Sequence, residues 1–266
     1  FRAGLWLAPF VAEEKSAVFQ EHPDWFCRKD GQPLKCGCNW SGFYALDIDN
    51  PEAMAYVEKC IRQAVEDWGF DLLKLDFLYG AAFYGSGIES RAARMRRALT
   101  MLREWCGDAL ILGCGVPLVP AFGLVDYCRI GCDVSLDWDD KLYMHIAHPE
   151  RVSTKRSMTD TVNRQPIDGY AFGCDPDVLF LRDANLELTK EQKTLLAKVD
   201  ALCGSVFLTS DDPGTYTEEQ KENYRVFREM TKLDAGRTVH TATAAWLAYK
   251  QNGQEKAIKL PPDVRV

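Results

Sequence analysis

Lys74-Leu75-Asp76 sets a cation and a carboxylate two residues apart inside an otherwise apolar run, Leu72 to Leu78. In a strand, positions two apart face the same side. Buried Lys and Asp are rare unless paired. The spacing therefore fits either an ion pair holding an interior or a reacting carboxylate with a cation beside it, and does not choose. A second combination follows the apolar stretch from Phe122 to Cys128: Arg129, then Asp133 four residues later, past Gly131, which lets the backbone turn. An Arg–Asp pair closing a loop explains it as well as a catalytic acid does. Two carboxylates at the ends of different strands suit glycoside hydrolysis, in which one attacks the anomeric carbon and the other protonates the leaving oxygen. In that chemistry Asp76 is the nucleophile, kept ionised by Lys74. Asp133 is the general acid/base, and it needs drier or less cationic surroundings.

Other polar clusters are less decisive. Asp175-Pro176-Asp177 is placed for a site, but a Pro between two Asp also makes a good turn. Asp211-Asp212-Pro213 reads as a site element or a helix approach. Asp137, Asp139 and Asp140 around Trp138 would shape a leaving-group side or form a solvated loop. Cys36-Gly37-Cys38, with Cys27 nearby, lacks a second Cys/His pair at zinc spacing. No metal and no organic cofactor are expected. Trp6, Trp25, Trp40 and Trp138 are candidates to stack on a sugar, although Trp is more often a core residue.

These side chains need elements to carry them. Gly4 to Pro9 reads as a buried strand. Pro51 to Trp68 reads as a helix, capped by Asn50, with Pro51 first, Gly69 after the end, and Met54, Val57, Ile61 and Val65 at helical spacing. Leu72 to Leu78 is the next strand. Glu89 to Trp105 is a helix with an Arg-rich outer face. Ala109 to Leu112 and Asp126 to Ile130 are further strands, with room for a short helix between. Tyr170 to Gly173 is a weak fifth strand and Ser205 to Leu208 a sixth. The last two helices, Thr189 to Leu202 and Thr217 to Met230, carry Thr caps.

Alternation of this kind predicts an α/β fold with a parallel sheet and crossover helices. No G-x-G-x-x-G follows a strand, which disfavours a dinucleotide fold. The expectation is a (β/α)8 TIM-type barrel, N-terminally truncated, with six of eight strands present over residues 1–238. Residues 239–266 read as the start of a truncated C-terminal β domain, with a hairpin at Asn252-Gly253.

The chain has 266 residues, 47% of them hydrophobic, enough for one large core. A net charge of −7 argues against nucleic acid and anionic membranes as partners. There is no apolar run of about 18 residues to span a bilayer. The chain opens at Phe1 in an apolar strand, which reads as a cut through a longer gene product. Ten cysteines are too dilute for a disulfide scaffold, so a reduced, cytoplasmic setting is expected.

Taken together, GLWLAPF (4–10), HPDW (22–25), NWSGFYALDIDNPEA (39–53), DLLKLDFLYG (71–80), RIGCDV (129–134) and DPDVLFLR (175–182) resemble the melibiase-type α-galactosidases of glycoside hydrolase family 36. Family 27 of the same clan is similar at greater distance. The resemblance implies release of terminal α-linked galactose from oligosaccharides by a retaining mechanism. It implies Asp76 as nucleophile and Asp133 as acid/base. Trp6, Lys74, Cys114, Arg129 and Asp177 are then substrate-binding residues. The resemblance leaves open an α-N-acetylgalactosaminidase, a raffinose-type galactosyltransferase, an inactive sugar-binding fragment, and a homo-oligomer of the full-length protein. Two departures stand out. The family's C-x-G-G-G-R stretch here reads Cys114-Gly115-Val116-Pro117-Leu118 after Gly113. The family's paired Asp on the second barrel strand, which reads the galactose 4- and 6-hydroxyls, is not in this chain.

Overall fold

The structure is a computed structural model that describes residues 2–38, 41–84, 87–147, 151–241 and 244–264. The chain divides into two compact units, Phe1–Cys128 and Arg129–Val266.

In the first unit, strands β1 (Gly4–Leu7), β2 (Leu72–Leu75), β3 (Leu110–Gly113) and β4 (Tyr127–Arg129) lie side by side in that order. The division between units falls inside β4. All three pairings are parallel, and the register sets Trp6 opposite Lys74 and Lys74 opposite Leu112. Parallel neighbours need long crossovers, which two helices supply. Helix α1 (Pro51–Arg62) begins where sequence places it, because the Asn50 side chain accepts the N–H groups of Glu52 and Ala53. It buries Ala53, Met54, Val57 and Ile61. The helix predicted to Trp68 changes at Gln63 into a single π-helical turn, Gln63–Asp67, before Gly69 reverses the chain at φ +70. Helix α2 (Arg91–Cys106) starts at Ser90, whose hydroxyl accepts the Ala93 N–H. The sequence reading put its arginines on the outer face, but not all of them lie there. Arg94 is buried, donating to Asp47, Asp49 and the Ala81 carbonyl.

Between β1 and α1 the chain makes an antiparallel excursion, in which Phe43–Ala45 pairs with both Val11–Glu13 and Lys35–Gly37. Val11, Cys27, Cys36, Phe43 and Ala45 form a small apolar cluster there, joined by Phe77 from the end of β2.

The second unit carries helices α3 (Thr154–Arg164), α4 (Lys190–Cys203) and α5 (Glu218–Met230) with strand β5 (Gly173–Asp175). The fifth strand thus lies a few residues beyond its predicted place. Leu208–Thr209 pairs in parallel with Val178–Leu179. Both predicted Thr caps form full capping boxes, Thr189 with Gln192 and Thr217 with Gln220. The end of the chain is an antiparallel sheet of three strands rather than two: Ala235–His240, Ala245–Gln251 and Gln254–Lys259. Asn252 and Gly253 turn the last hairpin with φ +54 and +76, the two positive values that a two-residue Asn-Gly turn requires. Leu247, Leu260 and Val264 share one core with Leu196 and Ala197 of α4 and Phe227 and Met230 of α5.

Candidate active site

Asp76 immediately follows β2 in the first unit. Its main-chain N–H donates to the Leu7 carbonyl at 2.8 Å, continuing the β1–β2 ladder past the strand end. The carboxylate is held at both oxygens. Trp6 Nε1 donates to Oδ2 at 3.0 Å, and the Phe77 N–H donates to Oδ1 at 2.7 Å. Phe77 itself takes a left-handed conformation, φ +50. Such backbone is costly for a residue with a Cβ and clusters at functional sites. Phe77 is fixed by an edge-on contact with Trp6 and by Phe43, with ring centroids 6.5 and 4.8 Å apart. The loop after β3 braces the turn from the other side. The Cys114 and Gly115 carbonyls accept the Leu78 and Tyr79 N–H groups. A Cβ on Gly115 would sit 3.2 Å from the Phe77 main chain and 3.5 Å from Asp76 Oδ1, so only glycine allows this approach, at φ +58.

The partner of Asp76 differs from the one expected. Among the described residues no ion pair within 4 Å joins Lys74 to Asp76, and the direct contact is Trp6. Trp6 remains 45% exposed and, with Ala8, Val11, Ala12, Glu13 and Phe43, lines a cleft of about 280 Å³. Cys114 is buried.

The second unit centres on Arg129. Its guanidinium reaches three carboxylates: Nε to Asp175 Oδ2 at 3.2 Å, one terminal nitrogen to Asp133 Oδ1 at 2.8 Å, the other to Asp177 Oδ1 at 2.6 Å. Arg129 and Asp175 are fully enclosed and Asp177 nearly so, but the Asp133 side chain is 65% exposed. The two readings of Asp175-Pro176-Asp177 merge here. Asp175 Oδ1 accepts the Asp177 N–H, as in a turn, while both acids bind Arg129. Asp177 is also at positive φ, +91, and its Oδ2 accepts the Val134 N–H at 2.7 Å, one residue after Asp133. Burial pushes the Asp177 carboxyl up to about 6, against the pull of Arg129 and the Val134 N–H. The drier, less cationic surroundings expected for Asp133 are not what unit two provides, since Asp133 lies in the open beside Arg129.

Several other candidates have structural occupations. Trp25 is buried, stacked on His22 at 3.8 Å and bonded to Glu52. Trp138 donates to Asp263. Trp40 lies outside the described residues. Asp137, Asp139 and Asp140 are tied by Lys141, Lys155, His145 and Arg151 into an ion-paired loop. Asp211 accepts the N–H groups of Leu181 and Arg182 and the Tyr216 hydroxyl, and Asp212 caps the turn after it. Cys27 and Cys36 are buried thiols pushed up to about 11 and about 12. Among the described residues no three His, Cys, Asp or Glu side chains lie together as metal ligands. Sequence reasoning named Gly115 only within the stretch that departs from the family pattern and gave it no role; a glycine two residues past a strand end was the available signal.

Comparison with known proteins follows this geometry. A family model described as Melibiase matches residues 1–98. The α-galactosidase of Thermus thermophilus, solved with p-nitrophenyl α-D-galactopyranoside, superposes on 96% of the chain with 33% identity and a TM-score of 0.81. The chain belongs to the melibiase family. The same Thermus thermophilus enzyme solved with stachyose matches 85% of the chain at 36% identity and TM-score 0.76. An α-galactosidase of glycoside hydrolase family 36 from Geobacillus stearothermophilus, at 16% identity over 94% of the chain and 35% of its own length, shares the fold with a TM-score of 0.54. The chain spans about half the length of the Thermus structures it matches, 51% and 49%. Among the described residues no helix is long and apolar enough to cross a membrane.

Proposed function

We propose that this melibiase-family chain carries the catalytic carboxylates of a retaining α-galactosidase, acting on terminal α-linked galactose of melibiose- and raffinose-type oligosaccharides. The observation that carries the reading is the Asp76 anchorage. A carboxylate at a parallel-strand end, aimed by the half-exposed Trp6 indole and the strained Phe77 N–H, is built to hold one direction. The Thermus thermophilus complexes support the substrate class. In this reading the parallel strands belong to an eight-stranded barrel, six of them in this chain. Lys74, Trp6, Cys114, Arg129 and Asp177 bind the sugar, and the setting is cytoplasmic.

An Asp76 oxygen attacks the anomeric carbon as the bond to the leaving oxygen breaks, and Asp133 gives that oxygen a proton. Asp133 then takes a proton from water, whose oxygen attacks the same carbon. Asp76 is released, and galactose leaves as the α-anomer. Asp76→Ala in the intact protein should abolish hydrolysis of p-nitrophenyl α-galactoside, and azide should restore turnover while yielding β-galactosyl azide. Full activity in that variant, or β-galactose as first product of the wild type by proton NMR, overturns the proposal. With mixed acceptors, transfer in preference to hydrolysis would mark a galactosyltransferase instead.

A further inference from the structure

Glu13 ends the strand Val11–Glu13, opposite Phe43. Its main chain is fixed on both sides. One side pairs with Phe43. On the other, the Glu13 carbonyl accepts the Ser16 N–H at 3.0 Å and the Ser16 hydroxyl at 2.7 Å, and Ser16 caps the short helix Ala17–Glu21. The Glu13 carboxylate is held far less. Among the described residues it accepts one long bond, from the Ser41 N–H to Oε1 at 3.5 Å, and no cation lies within 4 Å of it. This side chain borders the same cleft of about 280 Å³ that Trp6 borders. Small-molecule sites begin near that size, at about 300 Å³. Ala8, Val11, Ala12 and Phe43 make the rest of the wall apolar, so Glu13 is the one charged side chain lining it among the described residues.

Trp6 joins this cleft to the strand-end carboxylate. Its indole nitrogen donates to Asp76 Oδ2 at 3.0 Å and its half-exposed ring forms part of the cleft wall, whereas Asp76 itself does not line the cleft. We infer that Glu13 is a specificity-determining residue that binds the leaving-group sugar, accepting hydrogen bonds from its hydroxyl groups. The inference rests on Asp76 as nucleophile. A galactose whose anomeric carbon meets Asp76 occupies the space at that carboxylate, and the unit bonded to it reaches past the indole into the cleft. A carboxylate only accepts hydrogen bonds, so it favours a unit rich in hydroxyl donors. Trp6 and Phe43 offer aromatic surface to the C–H face of the same ring, the mixed lining of a site that orients its ligand through a few polar groups. A nitrophenyl leaving group has no hydroxyl to donate, and an anionic one is repelled.

The test compares raffinose with p-nitrophenyl α-galactoside in the intact protein. Glu13→Ala should lower the ratio of their kcat/KM values, raffinose over aryl glycoside, about tenfold, the worth of one hydrogen bond to a charged acceptor. Glu13→Gln keeps an acceptor oxygen without the charge and should fall between. An unchanged ratio overturns the inference, because a side chain that only supports the fold acts on both substrates alike. Binding reads the same residue without turnover. Placed on Asp76→Ala, Glu13→Ala should weaken raffinose relative to galactose about tenfold by calorimetry. Raffinose that binds regardless of Glu13, or not at all, overturns the inference too. A wild type that hydrolyses neither glycoside, while raffinose binding still depends on Glu13, would sink the proposed function instead.

Discussion

Replacing Arg129 by Met takes one positive charge from among three carboxylates and keeps much of the side-chain volume. Asp175 and Asp177 are enclosed, so neither can turn to water for compensation. Asp133 is 65% exposed, and its share of the loss is under about 1 kcal/mol. Breaking a buried pair by removing one partner costs about 3–5 kcal/mol. The alternative is to protonate the stranded acids, at about 1.4 kcal/mol per pH unit above the unfolded value near 4. At pH 8 both routes are expensive, and the loss should be about 3–5 kcal/mol, or roughly 10 °C in Tm for a chain of this size. At pH 5 protonation costs only about 1–2 kcal/mol per acid, and the Asp177 carboxyl already lies up at about 6. The Tm deficit should therefore shrink to roughly half or less at pH 5. The sign follows from Asp177: its folded pKa exceeds its unfolded one, so its stabilising share is complete below about 4 and lost as pH climbs through about 6. Thermal unfolding of Arg129→Met and wild type, scanned from pH 5 to 8, measures this. Equal deficits at both ends, or a larger one at pH 5, would refute the reasoning. Arg129→Lys, with one compact ammonium for three acceptors, should fall between.

Trp6→Phe removes one donor to the Asp76 carboxylate while keeping an aromatic ring over Phe77. A charge-assisted bond at a half-exposed site is worth about 1.5 kcal/mol, so kcat on an aryl α-galactoside should fall about tenfold with little change in Tm. Gly115→Ala places a Cβ 3.2 Å from the Phe77 main chain at φ +58; a loss of about 1–3 kcal/mol in urea unfolding, with a larger proportional loss of activity, is expected.

The helix ends were legible because their signals are local. Asn50, Thr189 and Thr217 each bond to N–H groups two or three residues away, and the side-chain types announce it. Helix α3 was missed because its inward face is largely hydroxyl: Thr154, Ser157 and Thr161 are buried beside only Met158 and Val162. Thr154, for example, bonds the carbonyls of Ser135 and Asp137. No apolar period marks such a face. Strand β5 was read a few residues early because Gly173-Cys174-Asp175 ends in a charge, made tolerable in a buried strand by Arg129 and the Asp177 N–H. The candidate acids at Asp76, Asp133 and Asp177 stood out as charges at apolar strand ends. Their partners did not, because Trp6 meets Asp76 through a strand register set by distant residues, and three acids share Arg129 only after the chain has folded.

The left-handed Phe77 bears on any attempt to toughen this protein in the laboratory. Gly or Asn at position 77 relaxes the backbone by about 1–2 kcal/mol but empties the buried place the ring fills, which costs about 3–5 kcal/mol. Each would also discard the ring that wedges between Trp6 and Phe43 and so keeps the Asp76 oxygens aimed. Selection for heat resistance should therefore leave the aromatic ring at position 77 in place, strain included, and find its gains elsewhere in the chain.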